Sequence, residues 1–230
     1  MNPRVSNQKT AAMTLVEVLV VIALLFLLVA ILLPRLHTYH DGRQHINCVS
    51  NLKQIGIAYR FWAGDNNDRY PMQASVTNGG TMELTADGKN AWLNYLVMSN
   101  ELSTPKILIC PQDKEHLPPA INFSSQLAGH VSYFVGMDAD PQHPQMILSG
   151  DDDFAVGGVP VKSGLLEIST NAPIAWTSGR HKDSEAAHFW IPTKYGYIGL
   201  VDGSVASVDN SGLKNLLGQT GVATNRLAIP

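Results

Sequence analysis

The residues best equipped for chemistry in this sequence are His181 and His188, with Asp183 and Glu185 between them. Imidazole beside carboxylate is the equipment of general acid–base catalysis. These four fall where neither a helical nor a strand period can be traced, and a solvent-exposed loop accounts for them better than a catalytic site. A second set of oxygens, Asp138, Asp140 and the run Asp151-Asp152-Asp153, could supply the several ligands that calcium needs. So could Asp65-Asn66-Asn67-Asp68. The plainer readings are a solvated acidic loop for the first and a polar, helix-ending turn for the second. Cys48 and Cys110 belong to no Cys-x-x-Cys pair and have no histidine at ligand spacing, so no metal site is expected of them. Asp202-Gly203 sits between two β-prone runs, Tyr197 to Val201 and Ser204 to Val208, and predicts a two-residue hairpin turn rather than a catalytic acid. The chain has no Gly-x-Ser-x-Gly elbow, no His-Glu-x-x-His and no phosphate-binding glycine loop. The expectation is a protein without catalytic residues, metal or cofactor, structural calcium being the one alternative left open.

The elements that carry these residues begin with Met13 to Leu33, an apolar run whose single charge is Glu17. As a helix it would be roughly 31 Å long, enough to cross a bilayer core. A lone carboxylate there has two explanations: it reaches to water near the helix end, or it pairs with a cation on a neighbouring copy. Residues 34–63 continue the helix as an amphipathic stripe of Ile46, Val49, Leu52, Ile55, Tyr59 and Trp62, with Pro34 kinking it. Gly64 to Pro71 ends it. Beyond lie a short helix at Ala91 to Ser99, an extended Lys106 to Cys110, strands at Val131 to Gly136, Gln145 to Ser149 and Pro173 to Thr177, the hairpin at 197–208, and a tail helix at Leu213 to Gln219 capped by Ser211. With 45% apolar and 15% charged residues and a net charge of −3, the chain has no basic stripe to neutralise phosphates, and nucleic acid is excluded as a partner. The apolar run is longer than the core of an ordinary secretory signal and no cleavage site follows it, so it should stay in the mature protein.

Ala11-Ala12-Met13-Thr14-Leu15-Val16-Glu17, followed by the apolar run and Pro34, resembles the class III signal of type IV pilins and type II secretion pseudopilins. Ala12 stands where glycine is usual and Met13 where phenylalanine is usual. Cys48 to Gly56, the turn ending at Arg69-Tyr70-Pro71, and Asp202-Gly203-Ser204-Val205 with the tail to Pro230 resemble a large, mostly uncharacterised group of bacterial pilin-like proteins. The resemblance implies a leader of residues 1–12 cut between Ala12 and Met13 by a prepilin peptidase, and N-methylation of Met13. Glu17, as the fifth mature residue, would then serve assembly. It implies a transmembrane segment at 13–33, its amphipathic continuation at 34–63, and an α+β head at 64–230 with a small antiparallel sheet on which the long helix packs. The implied function is a structural subunit that assembles with its own copies and other pilin-like subunits into a type IV pilus-like or type II secretion pseudopilus filament. It would sit in the cytoplasmic (inner) membrane as a single-pass protein with the head outside. An exported, anchored binding module for a polysaccharide or a protein is the alternative. A head outside the cytoplasm is in an oxidising place, which makes one Cys48–Cys110 bridge possible, two buried thiols being the other reading.

Overall fold

The computed structural model describes residues 14–124, 127–177, 180–182 and 194–230. The chain divides into two compact units, Met1–Arg43 and Gln44–Pro230. Helix α1 (Leu15–Asp65) begins in the first unit and ends in the second. Its start is a capping box: the Thr14 N–H and hydroxyl donate to Glu17 Oε2 at 2.8 and 3.0 Å, and the Glu17 N–H returns to Thr14 Oγ1. In the first unit, Leu15 to Ile31 presents exposed large apolar side chains around the helix, Leu15 and Phe26 more than 70% so.

In the second unit the helix buries Cys48, Leu52, Ile55, Tyr59 and Trp62, a stripe at spacings of three and four. The seam is turned from the one read in the sequence: Ile46 is exposed and Cys48 takes its place in the core. The helix stops where Asn67 and Asp68 adopt left-handed conformations and the Asp68 N–H returns to the Ala63 carbonyl. Short helices α2 (Met82–Thr85), α3 (Trp92–Val97) and α4 (Ser99–Leu102) follow. The strands are β1 (Tyr133–Gly136), β2 (Ile147–Asp151), β3 (Phe154–Val156), β4 (Val159–Pro160), β5 (Gly164–Ser169), β6 (Ile174–Trp176), β7 (His181–Lys182), β8 (Lys194–Leu200), β9 (Val205–Val208) and β10 (Thr224–Ile229), with helix α5 (Asn210–Gln219) before the last. A seven-stranded antiparallel sheet runs β5-β10-β1-β2-β8-β7, with β9 also on β8. A second sheet of three strands runs β4-β3-β6.

Both faces of the large sheet are covered. Tyr133, Val135, Leu148, Tyr197 and Ala228 point into the core shared with α1, α3 and α4. Their neighbours Phe134, Ile147, Ile198, Leu227 and Ile229 point the other way, into a second core with Phe154 and Trp176 of the small sheet and Leu213 and Leu217 of α5. Alternation of side chains along each strand sends successive residues to opposite faces, so a strand covered on both faces can bury apolar residues at adjacent positions. Glycines make room for the aromatic rings on the second face. A Cβ on Gly196 would meet the Trp176 ring at 2.3 Å, and one on Gly150 would meet Phe134 at 2.9 Å.

Several expectations are corrected here. The sheet is not small: it has seven strands, and the head is a mixed α/β fold with a second sheet. Among the described residues no helix is long and apolar enough to cross a membrane. The long N-terminal transmembrane helix packed on a small-sheeted pilin-like head is therefore overturned. Lys106 to Cys110 is no strand; Pro105–Leu108 forms a 3-10 turn. The connection at Asp202-Gly203 is longer than two residues, since Gly199 pairs with Val205, and Gly203 supplies the one positive φ. Helix α5 is capped by Asp209, whose Oδ1 accepts the Gly212 N–H at 2.7 Å, rather than by Ser211.

Candidate functional site

The densest group of polar side chains in the head lies at one end of the large sheet. Cys110-Pro111-Gln112-Asp113 is a tight turn, closed by the Asp113 N–H donating to the Cys110 carbonyl. Asp113 Oδ1 then accepts the N–H groups of Glu115 and His116, a local arrangement open to aspartate because its carboxylate reaches its own backbone two or three residues on. Strand β2 runs out at Asp151, and Asp152 and Asp153 continue it under the turn. Arg180 and His181 enter from the start of β7.

Arg180, with its side chain 2% exposed, spans the carboxylates. Nη2 lies 3.1 Å from Asp113, Nη1 2.9 Å from Asp152 Oδ1 and 3.9 Å from Asp151. His116 closes the ring: Nδ1 is 2.7 Å from Asp113 Oδ2, and Nε2 is 3.2 Å from Asp152 Oδ2. Each cation therefore touches the same two carboxylates from different sides.

A second string of contacts runs alongside. His181, fully buried, places Nε2 3.0 Å from Asp151 Oδ2 and Nδ1 on Gln112 Oε1. Asp151 Oδ2 also accepts the Tyr197 N–H at 2.7 Å. The amide of Gln112 faces His45 Nε2 at 3.4 Å, and the Tyr195 hydroxyl meets His45 Nδ1 at 3.0 Å. Because an amide oxygen only accepts, the His181 Nδ1 must carry its hydrogen. Cys110 is joined to Cys48 of α1 by a disulfide, Cα atoms 5.2 Å apart, and its Sγ lies 3.8 Å from His181 Nε2.

The electrostatics follow from burial. Burial raises the Asp113 carboxyl, but the His116 hydrogen bond, the Arg180 charge and the backbone donors outweigh it and hold it well below the usual carboxylate range. Asp152 is pushed up to about 6 by burial, against the opposing pull of Arg180 and His116. His116 is raised, first by its hydrogen bond to Asp113 and then by Asp152. For Arg180, burial lowers the value, and the surrounding aspartates more than reverse it.

These directions set a pH dependence. The folded state binds more proton than the unfolded at Asp152 between about 4 and about 6, and at His116 from about 6.5 up to its raised value, so stability falls as pH rises through both windows. Asp113 acts oppositely: its contribution is present above about 4 and is lost as pH falls toward its depressed value. Thermal unfolding should therefore show a higher Tm at pH 5 than at pH 8, and His116→Gln should shrink that difference. A Tm that is flat or rises from pH 5 to pH 8 would contradict this account.

Sequence reasoning and geometry part company here. His181 is buried rather than in an exposed loop. His188, Asp183 and Glu185 lie outside the described residues, as do Ala12 and Met13. Asp151, Asp152 and Asp153 are buried rather than solvated. Asp138 instead holds Arg226 of β10, at 2.6 Å, and Asp140 lies 3.6 Å from His143. The sequence reading missed Arg180, Asp113 and His116. The available signal was Arg180-His181, a cationic pair in a chain with few charges, together with an aspartate three residues after Cys110-Pro111. An open groove of about 420 Å³ passes the cluster, lined by Asn47, Asn51, Lys106, Asp113, His116 and Pro118 among others.

No family model, no curated protein and no solved structure matches this chain.

Proposed function

We propose that this protein is a structural subunit of the pilin and pseudopilin kind, whose copies bundle their N-terminal helices into a filament. One observation carries the reading: Leu15 to Ile31 forms a helix whose large apolar side chains are exposed in the single chain. Each such side chain gains roughly 1.5–3 kcal/mol when fully buried, and an unbroken surface of them signals an interaction site. The occupant of that surface is a second copy of the same helix. The head lies outside the cytoplasm, where a Cys48–Cys110 disulfide persists. A prepilin peptidase cuts between Ala12 and Met13, and intact mass of the native protein should show the loss of residues 1–12 and a methylated Met13.

Glu17 is the residue on which assembly turns. Its carboxylate caps its own helix through Thr14, whose backbone and hydroxyl donors hold it below the usual carboxylate range. In a bundle it would also meet the N-terminal amine of a neighbouring copy, fixing the stagger between subunits. Filament yield, counted by electron microscopy at matched protein levels, should drop strongly for Glu17→Leu and Glu17→Gln and less for Glu17→Asp. Glutamine can still cap the helix, so wild-type yield from Glu17→Gln would reduce Glu17 to a cap and remove the charge pairing from the proposal.

The groove beside the ionic cluster favours a second reading, an exported head that binds a polysaccharide or a protein. Its volume falls within the range of ligand sites, about 300–1,000 Å³. Absence of filaments from a correctly processed protein, with retained binding of polysaccharide to the head, would select it.

A further inference from the structure

The Cys48–Cys110 bridge has a third member. Cys48 Sγ, Cys110 Sγ and a ring nitrogen of His181 all lie within 4.8 Å of one another, and all three residues are fully buried. His181 Nε2 is 3.8 Å from Cys110 Sγ and 3.0 Å from Asp151 Oδ2. In a tetrahedral zinc site, metal–ligand lengths of about 2.3 Å to sulfur and about 2.0–2.1 Å to nitrogen or oxygen place sulfur and nitrogen about 3.6 Å apart, and nitrogen and oxygen about 3.3 Å apart. The two separations seen here are within a few tenths of an ångström of those. The sulfurs must part from bonded contact to about 3.8 Å, and Asp151, which is not among the three groups lying within 4.8 Å of one another, must close on them.

The surroundings suit a cation. His181 Nδ1 is tied to Gln112 Oε1, which fixes the ring and turns Nε2 toward the sulfurs, as the outer partners of metal-bound histidines do. Asp151, Asp152 and Asp153 are all buried, the first two within 4 Å of the guanidinium of Arg180. Two thiolates would add negative charge, and a divalent ion would offset it.

We propose that, once the Cys48–Cys110 bond is reduced, Cys48, Cys110 and His181, with Asp151 as fourth ligand, form a tetrahedral site for a divalent metal of the zinc class. The reductant is a dithiol: it gives two electrons and two protons, the S–S bond becomes two thiols, and the dithiol leaves as its own disulfide. Metal entry then releases the two thiol protons and the proton shared by His181 Nε2 and Asp151. The bridge and the metal are alternative ties between α1 and the sheet, selected by redox state. This inference is independent of the filament reading.

The test uses the whole protein, reduced by a dithiol, freed of it under anaerobic conditions and titrated with cobalt(II). The expected result is one equivalent of cobalt giving the visible bands of a tetrahedral ion with the sulfur-to-cobalt charge-transfer band, bleached by one equivalent of zinc. The oxidised protein should give neither band. Cys48→Ser with Cys110→Ser should abolish both, and Asp151→Asn and His181→Gln should each weaken cobalt binding at least about tenfold. Circular dichroism should show the reduced protein still folded. A folded, reduced protein with no tetrahedral cobalt spectrum would overturn the proposal, and so would unfolding on reduction. A His181→Gln variant identical to wild type would also overturn it, by showing two thiols binding metal on their own.

Discussion

Replacing Arg180 by methionine should destabilise the head by about 3–5 kcal/mol, the loss typical of removing one partner from a buried ion pair. The side chain that goes is 2% exposed and lies within 4 Å of carboxylates on Asp113, Asp151 and Asp152. Methionine matches its length but leaves those carboxylates facing one another with only His116 between two of them. The stability of a folded domain is about 5–15 kcal/mol, so the loss is a large part of it. Urea titration followed by tryptophan fluorescence measures it. Two further results would identify the cause as charge. Arg180→Lys should recover only part, because an ammonium cannot reach two carboxylates with a rigid fork. The deficit should also narrow as pH falls toward 4, as Asp152, at about 6 in the folded protein, takes up its proton. A loss below about 1 kcal/mol, or one independent of pH, would show that the buried ring contributes no more than a surface pair.

The second large effect belongs to the disulfide. Exchanging Cys48 and Cys110 together for alanine should cost about 4 kcal/mol, from the entropy returned to an unfolded chain no longer closed across 62 residues. Reduction of the wild type should cost a similar amount. The head would remain folded if its stability lies in the middle of the usual range, which is the condition that metal binding by the reduced protein requires. A midpoint unchanged on reduction would mean that the sheet and the second half of α1 hold together without the bridge. Recovery of the lost stability by one equivalent of zinc would join the two results.

Individual elements were legible because they are written in local patterns, while the size of the sheet and the presence of a second one were not. Leu52, Ile55, Tyr59 and Trp62 recur at helical spacing and are buried, whereas Ile46 of the same expected stripe is exposed. Val131 to Gly136 and the run from Tyr197 are β-prone and hold strand β1 and the second half of β8, which starts three residues earlier than the hairpin pattern did. Strands β5 and β10 were not legible, although they pair with each other along their whole length. Their sequences, GLLEIS and TNRLAI, carry polar residues whose partners are remote. Asn225 is buried and its side chain donates to the Leu217 carbonyl, whereas the half-exposed Arg226 donates its N–H and guanidinium to Asp138. The site was hidden for the same reason. Three consecutive aspartates read as a solvated loop unless one knows that Arg180 arrives from 28 residues beyond Asp152. Burial of charge is decided by pairs distant in sequence, and a window of residues contains one partner at a time.

Strand β10 has one more consequence. It is the last strand in sequence, yet it lies inside the large sheet, with β5 on one side and β1 on the other. A nascent chain can therefore pair β1 with β2 and β8 with β9, but β5 has no neighbour in the large sheet until Thr224 to Ile229 has emerged from the ribosome. The head closes as a late event, over contacts spanning most of its length, and such topologies fold slowly, on the order of milliseconds to seconds. Until then the β5 edge of the sheet stays open, while the hairpins on the other side of β1 can already be formed.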